Sequence, residues 1–360
     1  MSQPSLDPQE FRMPAEWEEH EGTWLQWPHE DSHRGHQIKL ERTWLDMLTA
    51  LKKQETVHVL LKDDCRREHL ERQLEHYAIS LENVDLHIIP NNDVWARDNG
   101  PIFVVDDKGQ IAITHWIFNG WGGRFNHEDD ARVPSRIGEA LSLPVFKAPL
   151  VTEGGAIEVN GKGTLMATRS SIINPNRSPD KSQKEIEHLL KSYLGVKHFI
   201  WLSGAPPKAC ESWGDTTDFH IDIAARFVNE STVLYQWTDD QNDPRYAYFK
   251  KHLEELRAAT TESGKRLTLV PLPSPRNGVL RISQDPRWYG SNVLTDAAYM
   301  NYYVANGVVL VPVFGNADDL KGKEIIGELF PGREVVGIDA VSLTEEGGAM
   351  HCVTQQQPRV

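Results

Sequence analysis

One pattern recurs along this 360-residue chain and restricts its folds more than any other feature. An amphipathic helix signal precedes a short strand signal, and a polar or glycine-rich loop follows. The first helix is predicted near Asp64–Tyr77, with Leu70, Leu74 and Tyr77 at helical spacing. Strand Val84–Ile89 follows it, then a loop ending at Gly100-Pro101. A helix near Asp130–Leu141 leads to Pro144–Leu150 and the loop Thr152–Gly155. A helix near Lys181–Leu194, entered through a cap signal at Ser178-Pro179-Asp180, leads to His198–Leu202 and a long loop to Asp222. A helix near Pro244–Ala259 leads to Arg266–Pro271 and a loop reaching toward Tyr302. A helix near Asp318–Leu329 leads to Glu334–Ile338 and the segment Gly347–Cys352. Five similar units predict an α/β fold built as a ring of quasi-equivalent modules, with their loops gathered at one end.

The ends of the chain fit a closed ring. Only a short tail follows Cys352, too little to finish a fifth module. The segment Gly22–Trp27 (GTWLQW) reads as a strand that could complete it. A helix over Ile38–Leu51, with Leu40, Trp44, Leu48 and Leu51 on one stripe, would pack beside it. Length alone suggests about two domains, but no Gly/Ser- or Pro-rich linker divides the sequence. The expectation is therefore a single domain over residues 1–360.

Charge and cysteine content exclude several classes. Asp and Glu number 52 against 38 Lys and Arg, a formal net charge of −14. Such a chain lacks the basic stripe that phosphate backbones need, so no nucleic-acid partner is expected. Its field attracts small cations instead. No apolar run approaches the ~18 residues of a membrane span, so no membrane partner is expected. The N-terminus MSQPSLDPQEF shows neither a basic region nor an apolar leader. Three cysteines, none in a CxxC pair, cannot form a disulfide framework. Together these features predict a cytoplasmic protein.

Residues that could do chemistry fall in the loops of different units. Cys352 follows Gly347-Gly348, where backbone can approach a ligand closely. Cys65 opens a helix and reads as an ordinary small residue; Cys210 lies in a predicted loop with no evident partner. His220 and Asp222, two apart, share a face of an extended segment. They suit either a general acid/base or a structural His–Asp hydrogen bond, and the residues alone leave both open. Glu153 precedes Gly154-Gly155, and Asp98 precedes a turn at Asn99-Gly100-Pro101. Each alone is ordinary turn composition. The ring would bring all of them to one face. Zinc usually shows closely spaced Cys or His pairs, which were not found, so no metal is expected. Three acids around a thiol would repel ordinary acyl substrates. They suit a cation, and a planar guanidinium matches two carboxylates with its fork of N–H donors.

The sequence resembles the agmatine deiminase branch of the guanidine-modifying, pentein-type enzymes, close to the bacterial peptidylarginine deiminases. The matching segments run from Phe11–Glu18 (FRMPAEWE) and Trp24–Pro28 through Trp95–Pro101 (WARDNGP), Phe118–Gly123, Glu153–Gly155, Asn174–Arg177 and His220–Asp222 to Tyr303–Gly307 and His351–Gln356. The resemblance implies a fivefold pseudosymmetric α/β propeller without metal or organic cofactor, and a homodimer. It implies Cys352 as nucleophile, His220 as general acid/base, Glu153 as the carboxylate that orients it, and Asp98 and Asp222 as guanidinium clamps. It implies agmatine as a small cationic substrate, N-carbamoylputrescine and ammonia as products, and a place in polyamine biosynthesis.

An agmatine pocket needs acids or aromatic faces for the far amine. Candidates are Trp95, Trp121 and Asp218, with Glu211 and Asp215 nearby; the alternative for the tryptophans is core packing and for the acids a solvated loop. Arg97 and Arg124 keep open a free-arginine substrate. The chain departs from the family's usual residues at Phe219, Ile223, Ala349 and Met350, which touch the pocket more than the reaction. Alternative readings are a peptidylarginine deiminase, an amidinotransferase, and a non-catalytic guanidine or polyamine binder.

Overall fold

A computed structural model of the chain describes residues 6–33, 35–275 and 297–360. Among them the fold is α/β with five small mixed sheets. Each sheet repeats one construction, an antiparallel strand pair followed by a helix that crosses to a parallel neighbour, as a parallel connection requires. Ala225–Phe227 pairs antiparallel with Thr232–Trp237; helix Tyr246–Ala258 then leads to the parallel strand Thr268–Pro273. Glu158–Val159, Thr164–Thr168, helix Gln183–Leu194 and His198–Leu202 do the same. So do Tyr303–Val304, Val308–Val313, helix Asp319–Leu329 and Glu334–Asp339. Ile102–Asp106, Ile111–Ile117, helix Val133–Leu141 and Val145–Val151 form a fourth unit, with Phe11–Arg12 added at its edge.

The two ends of the chain share the fifth sheet. Thr354–Pro358 pairs antiparallel with His20–Gln26, and helix Gln37–Leu51 crosses to the parallel strand Thr56–Leu61. Helix Asp64–His76 then adds Val84–Ile88. The Trp24 indole N–H donates to Gln357 at 2.9 Å, pinning the terminal strand.

No periodic signal marks the hairpin partners, because Glu158–Val159, Ala225–Phe227 and Tyr303–Val304 are too short to show a period. Two local expectations need correction. The third helix is capped at Ser182, not at Ser178-Pro179-Asp180. Ser182 and Glu185 form a reciprocal capping box, which satisfies two end groups at once. Cys210 sits in a short helix, Pro207–Ser212, where its buried thiol lies 3.8 Å from the Ala205 carbonyl.

Packing follows the patterning. Leu40, Trp44, Leu48 and Leu51 are fully buried against Val57, Val59 and Leu61. Leu60, on the opposite face of that strand, joins Trp24, Phe103 and Ile113. A strand buried on both faces reads as the near-continuous apolar run seen here. No helix of the described residues is long and apolar enough to cross a membrane.

From the last strand of each sheet the chain enters a loop. Those after Ile88, Val151, Leu202 and Asp339 carry Asp98, Glu153, His220 with Asp222, and Cys352. The middle of the loop expected between Pro271 and Tyr302 lies outside the described residues; its end carries Asn301.

Candidate active site

Asp98 lies in the single turn Ala96–Asn99 and is almost fully buried. One oxygen accepts from the Trp121 indole N–H at 2.8 Å and the other from the Gly155 amide at 3.0 Å. Glu153 is completely buried and accepts from Arg177 Nε at 2.6 Å. His220 stands between these acids, with Nε2 3.4 Å from Glu153 and Nδ1 3.7 Å from Asp98. Asp222 faces His351 Nδ1 at 2.8 Å and Asn301 Nδ2 at 3.2 Å, and lies 3.8 Å from Cys352 Sγ. All five residues named as catalytic from the sequence therefore converge.

Gly155 shows how tightly they converge. A Cβ there would lie 2.7 Å from His220 Nδ1, 2.8 Å from Asp98 Oδ1 and 3.1 Å from Asp222 Oδ2. Only a residue without a side chain lets these three groups meet. Gly348 plays a similar part beneath Trp95, whose ring a Cβ there would strike, while also coming 3.0 Å from Cys352 Cβ.

Burial and charge set the protonation states. Burial raises the Asp98 pKa, reinforced by Asp222 and Glu153 and opposed by His220. Burial would do the same to Glu153, but Arg177 and His220 hold it below the usual carboxylate range. Asp222 is likewise depressed, with His351 overcoming its burial. Burial opposes protonation of His220, yet Asp98, Glu153 and Asp222 raise it to about 9. The Cys352 thiol is pushed well above its ordinary value by burial, then by Asp222 and Asp98. Two buried polar atoms, His220 Nδ1 and Asp222 Oδ1, have no hydrogen-bond partner among the described residues.

Two adjoining cavities meet at Thr217, Gly347 and Cys352. His220, Asp222 and Asn301 line one of them. Trp95, Trp121, Phe125, Asp98, Asp93 and Glu346 line the other. Trp95 and Trp121 belong both to this wall and to the core, meeting edge to face at 6.4 Å. Asp218 does not line either cavity. Its carboxylate accepts from Arg124 at 2.9 and 3.0 Å, from Arg177 at 3.1 Å and from Asn176 at 3.0 Å, and so serves the frame rather than a ligand. Asp215 accepts from Thr217 and from the Phe219 amide, shaping the turn into His220. Glu211 is exposed on the short helix. Arg97 and Arg124 are also committed, to Glu16 and Asp218.

Several residues escaped the sequence reading. Asn301 donates toward Cys352 Sγ at 3.3 Å and accepts from the Cys352 amide at 3.3 Å, so one carboxamide orients the thiol from both ends. His351 spans Asp222 and Glu16, at 2.8 Å from each. Glu16 also meets Arg226 at 2.8 Å, Arg97 at 3.1 Å and the Val304 amide at 2.9 Å. Glu16, Arg177 and His351 all lie in the family-like segments, which was the available signal; Asn301 carried none.

Burial would raise the Glu16 pKa, but Arg226, His351 and Arg97 drive it well below the carboxylate range. Its ionised form stabilises the fold above the unfolded pKa, and that contribution is lost as pH falls through the folded value. Glu16→Gln leaves buried Arg97 without its counter-charge and Arg226 with Glu158 alone. It is expected to cost about 3–5 kcal/mol, read by chemical denaturation at pH 7, and to weaken the acid dependence of stability.

Comparison with known proteins places this arrangement. The family model for the Porphyromonas-type peptidyl-arginine deiminase matches residues 12–358. A Selenomonas ruminantium protein, provisionally designated an agmatine deiminase, is 33% identical over 97% of this chain and 96% of its own length. The structure of an agmatine deiminase of Enterococcus faecalis superposes with a TM-score of 0.88 at 28% identity, covering 99% of both chains. A Cys-to-Ser agmatine deiminase of C. jejuni with substrate bound gives 0.83 at 25% identity, covering 96% of both. With a match spanning nearly its whole length, the chain belongs to the Porphyromonas-type peptidyl-arginine deiminase family.

Proposed function

We propose that the chain hydrolyses the guanidinium of agmatine to N-carbamoylputrescine and ammonia, through a covalent amidino-thioether on Cys352. The observation that carries this reading is the position of Cys352, where a cavity lined by His220 and Asp222 meets one lined by Asp98, Trp95 and Trp121. Among the described residues the tryptophan-lined cavity carries Asp93 and Glu346 besides Asp98 and no Arg or Lys, which suits a far-end amine better than a carboxylate. His33 contacts both carboxylates, and Asp93 and Glu346 raise it to about 9 against its burial. The nucleophile and base are almost fully buried, which favours a slender substrate over a protein side chain.

In the proposed mechanism Asp98 and Asp222 hold the guanidinium by charge-assisted hydrogen bonds. The bound cation offsets the two charges that suppress the thiol, so Cys352 releases its proton to solvent as the complex forms and not before. The thiolate attacks the central carbon. His220, protonated in the free enzyme and held by Glu153, donates to the departing nitrogen, and ammonia leaves. The now neutral imidazole takes a proton from water, and the hydroxide adds to the amidino carbon. The carbon–sulfur bond then breaks and the hydroxyl proton passes to the departing sulfur, which restores the protonated Cys352 thiol and releases the carbamoyl amine. The thiol divides one difficult displacement into two easier steps. The product is a precursor of putrescine, which places the reaction in polyamine biosynthesis.

The common strand order of the five sheets supports reading them as a fivefold propeller forming one domain over residues 1–360. Three free thiols support a reducing, cytoplasmic setting.

Ammonia release from agmatine, free arginine and a blocked arginine peptide tests the reading directly. Agmatine should be preferred by orders of magnitude and Cys352→Ala should be inactive; preference for the peptide would replace the substrate assignment. Gly155→Ala should fold normally by circular dichroism yet lose on the order of 10²-fold in kcat, since it displaces His220 and Asp98 together. His220 is the acid only while protonated, so kcat/KM should fall as pH rises past about 9. Glu153→Gln removes one charge raising that value, and an NMR titration of the imidazole should show its midpoint shifted to lower pH.

A further inference from the structure

The sheet shared by the two chain ends carries a cluster that the proposed chemistry does not use. His58 lies on Thr56–Leu61, and Asp85 and His87 lie on its parallel neighbour Val84–Ile88. The register sets His58 beside Asp85, and His87, two residues on, returns to the same face. His58 Nδ1 is 3.1 Å from His87 Nε2 and 3.6 Å from Asp85 Oδ2. One ligand atom from each of the three residues lies within 4.8 Å of the others.

The geometry points to a divalent transition-metal site, zinc foremost, held by His58, His87 and Asp85. Zinc bonds of about 2.0–2.1 Å in a tetrahedron place ligand atoms roughly 3.3 Å apart. The two measured contacts lie on either side of that spacing. Two imidazoles and one carboxylate leave a fourth position for water or another donor. Neutral imidazole is the ligating form, so binding displaces the proton hydrogen-bonded between the two rings.

The surroundings orient the ligands. The Trp24 ring stacks on His58 with centroids 4.2 Å apart and planes at 18°. Gly22 lies beside the Nε2 edge of that imidazole, where an added Cβ would come within 3.1 Å of Nε2. Nδ1 is thereby turned to the cluster. Asp85 is exposed and His87 half-exposed, which gives an ion an entry path. A bound metal would tie two parallel strands in the sheet that holds both chain ends. No sequence spacing announces the site, because His58 and His87 are neighbours only through strand register.

The alternative is a simple imidazole–imidazole hydrogen bond, and metal titration separates the two. Untagged full-length Cys352→Ser protein, stripped with chelator, removes the competing thiol. It should bind one equivalent of zinc by calorimetry and give the visible bands of tetrahedral cobalt when Co²⁺ is used. Adding His87→Ala or Asp85→Asn should weaken zinc binding on the order of tenfold or more. Zinc should raise the melting temperature by about 2–5 °C only when the cluster is intact. Asp85→Asn, at an exposed position, keeps the test valid if His87→Ala fails to fold. Absence of stoichiometric zinc binding at micromolar concentration, or binding unchanged by both substitutions, would overturn the inference.

Discussion

A single buried carboxylate, that of Glu16, ties the parts of the site together. It meets Arg97, next in sequence to Asp98; His351, next to Cys352; Arg226, a few residues beyond Asp222; and the Val304 amide, just after Asn301. Four segments that are remote in sequence are thus positioned against one group. Burying so much charge is costly unless every member is paired. Here each cation has its partner, and the His351 ring passes the constraint on to Asp222 and hence to the thiol.

The second design feature is an excess of negative charge where the substrate would sit. Asp98, Glu153 and Asp222 surround one histidine and one thiol, and Arg177 offsets only part of that charge. An uncharged ligand would gain little from this cavity. A guanidinium relieves the repulsion among the acids and lowers the cost of forming a thiolate. In the proposed mechanism selectivity and activation of the Cys352 thiol therefore share one electrostatic cause, since the acids that raise the thiol's pKa are those that would bind the guanidinium.

Backbone strain shapes the same region. Asp218 and Phe219 both adopt left-handed conformations, with φ of 61° and 68°, immediately before His220. Glycine, usual before the catalytic histidine in this family, would enter that conformation freely. Phe219 enters it because its fully buried ring packs against Trp213 and His252. Asp218 is held by two arginines and an asparagine. A departure that looked like a change of pocket in the sequence is a change in how the turn is held.

The recurring helix–strand–loop order, the apolar stripe Leu40–Trp44–Leu48–Leu51 and the loop positions of Asp98, Glu153, His220, Asp222 and Cys352 were legible because each is a local pattern. Helical period, strand burial and glycine turns leave their mark within a few residues of chain. The short hairpin strands, the Glu16 hub, the hold of Asn301 on Cys352 and the diversion of Asp218 into an arginine pair were not legible. Each depends on which distant groups share a low-dielectric space, as does the sign of the thiol's pKa shift. The sequence by itself determined which elements form and which chemistry-bearing residues sit at their ends. The tertiary structure decided which of those residues meet and in what protonation state, because hydrogen bonding and Coulomb energy act over a few ångströms in space and not along the chain.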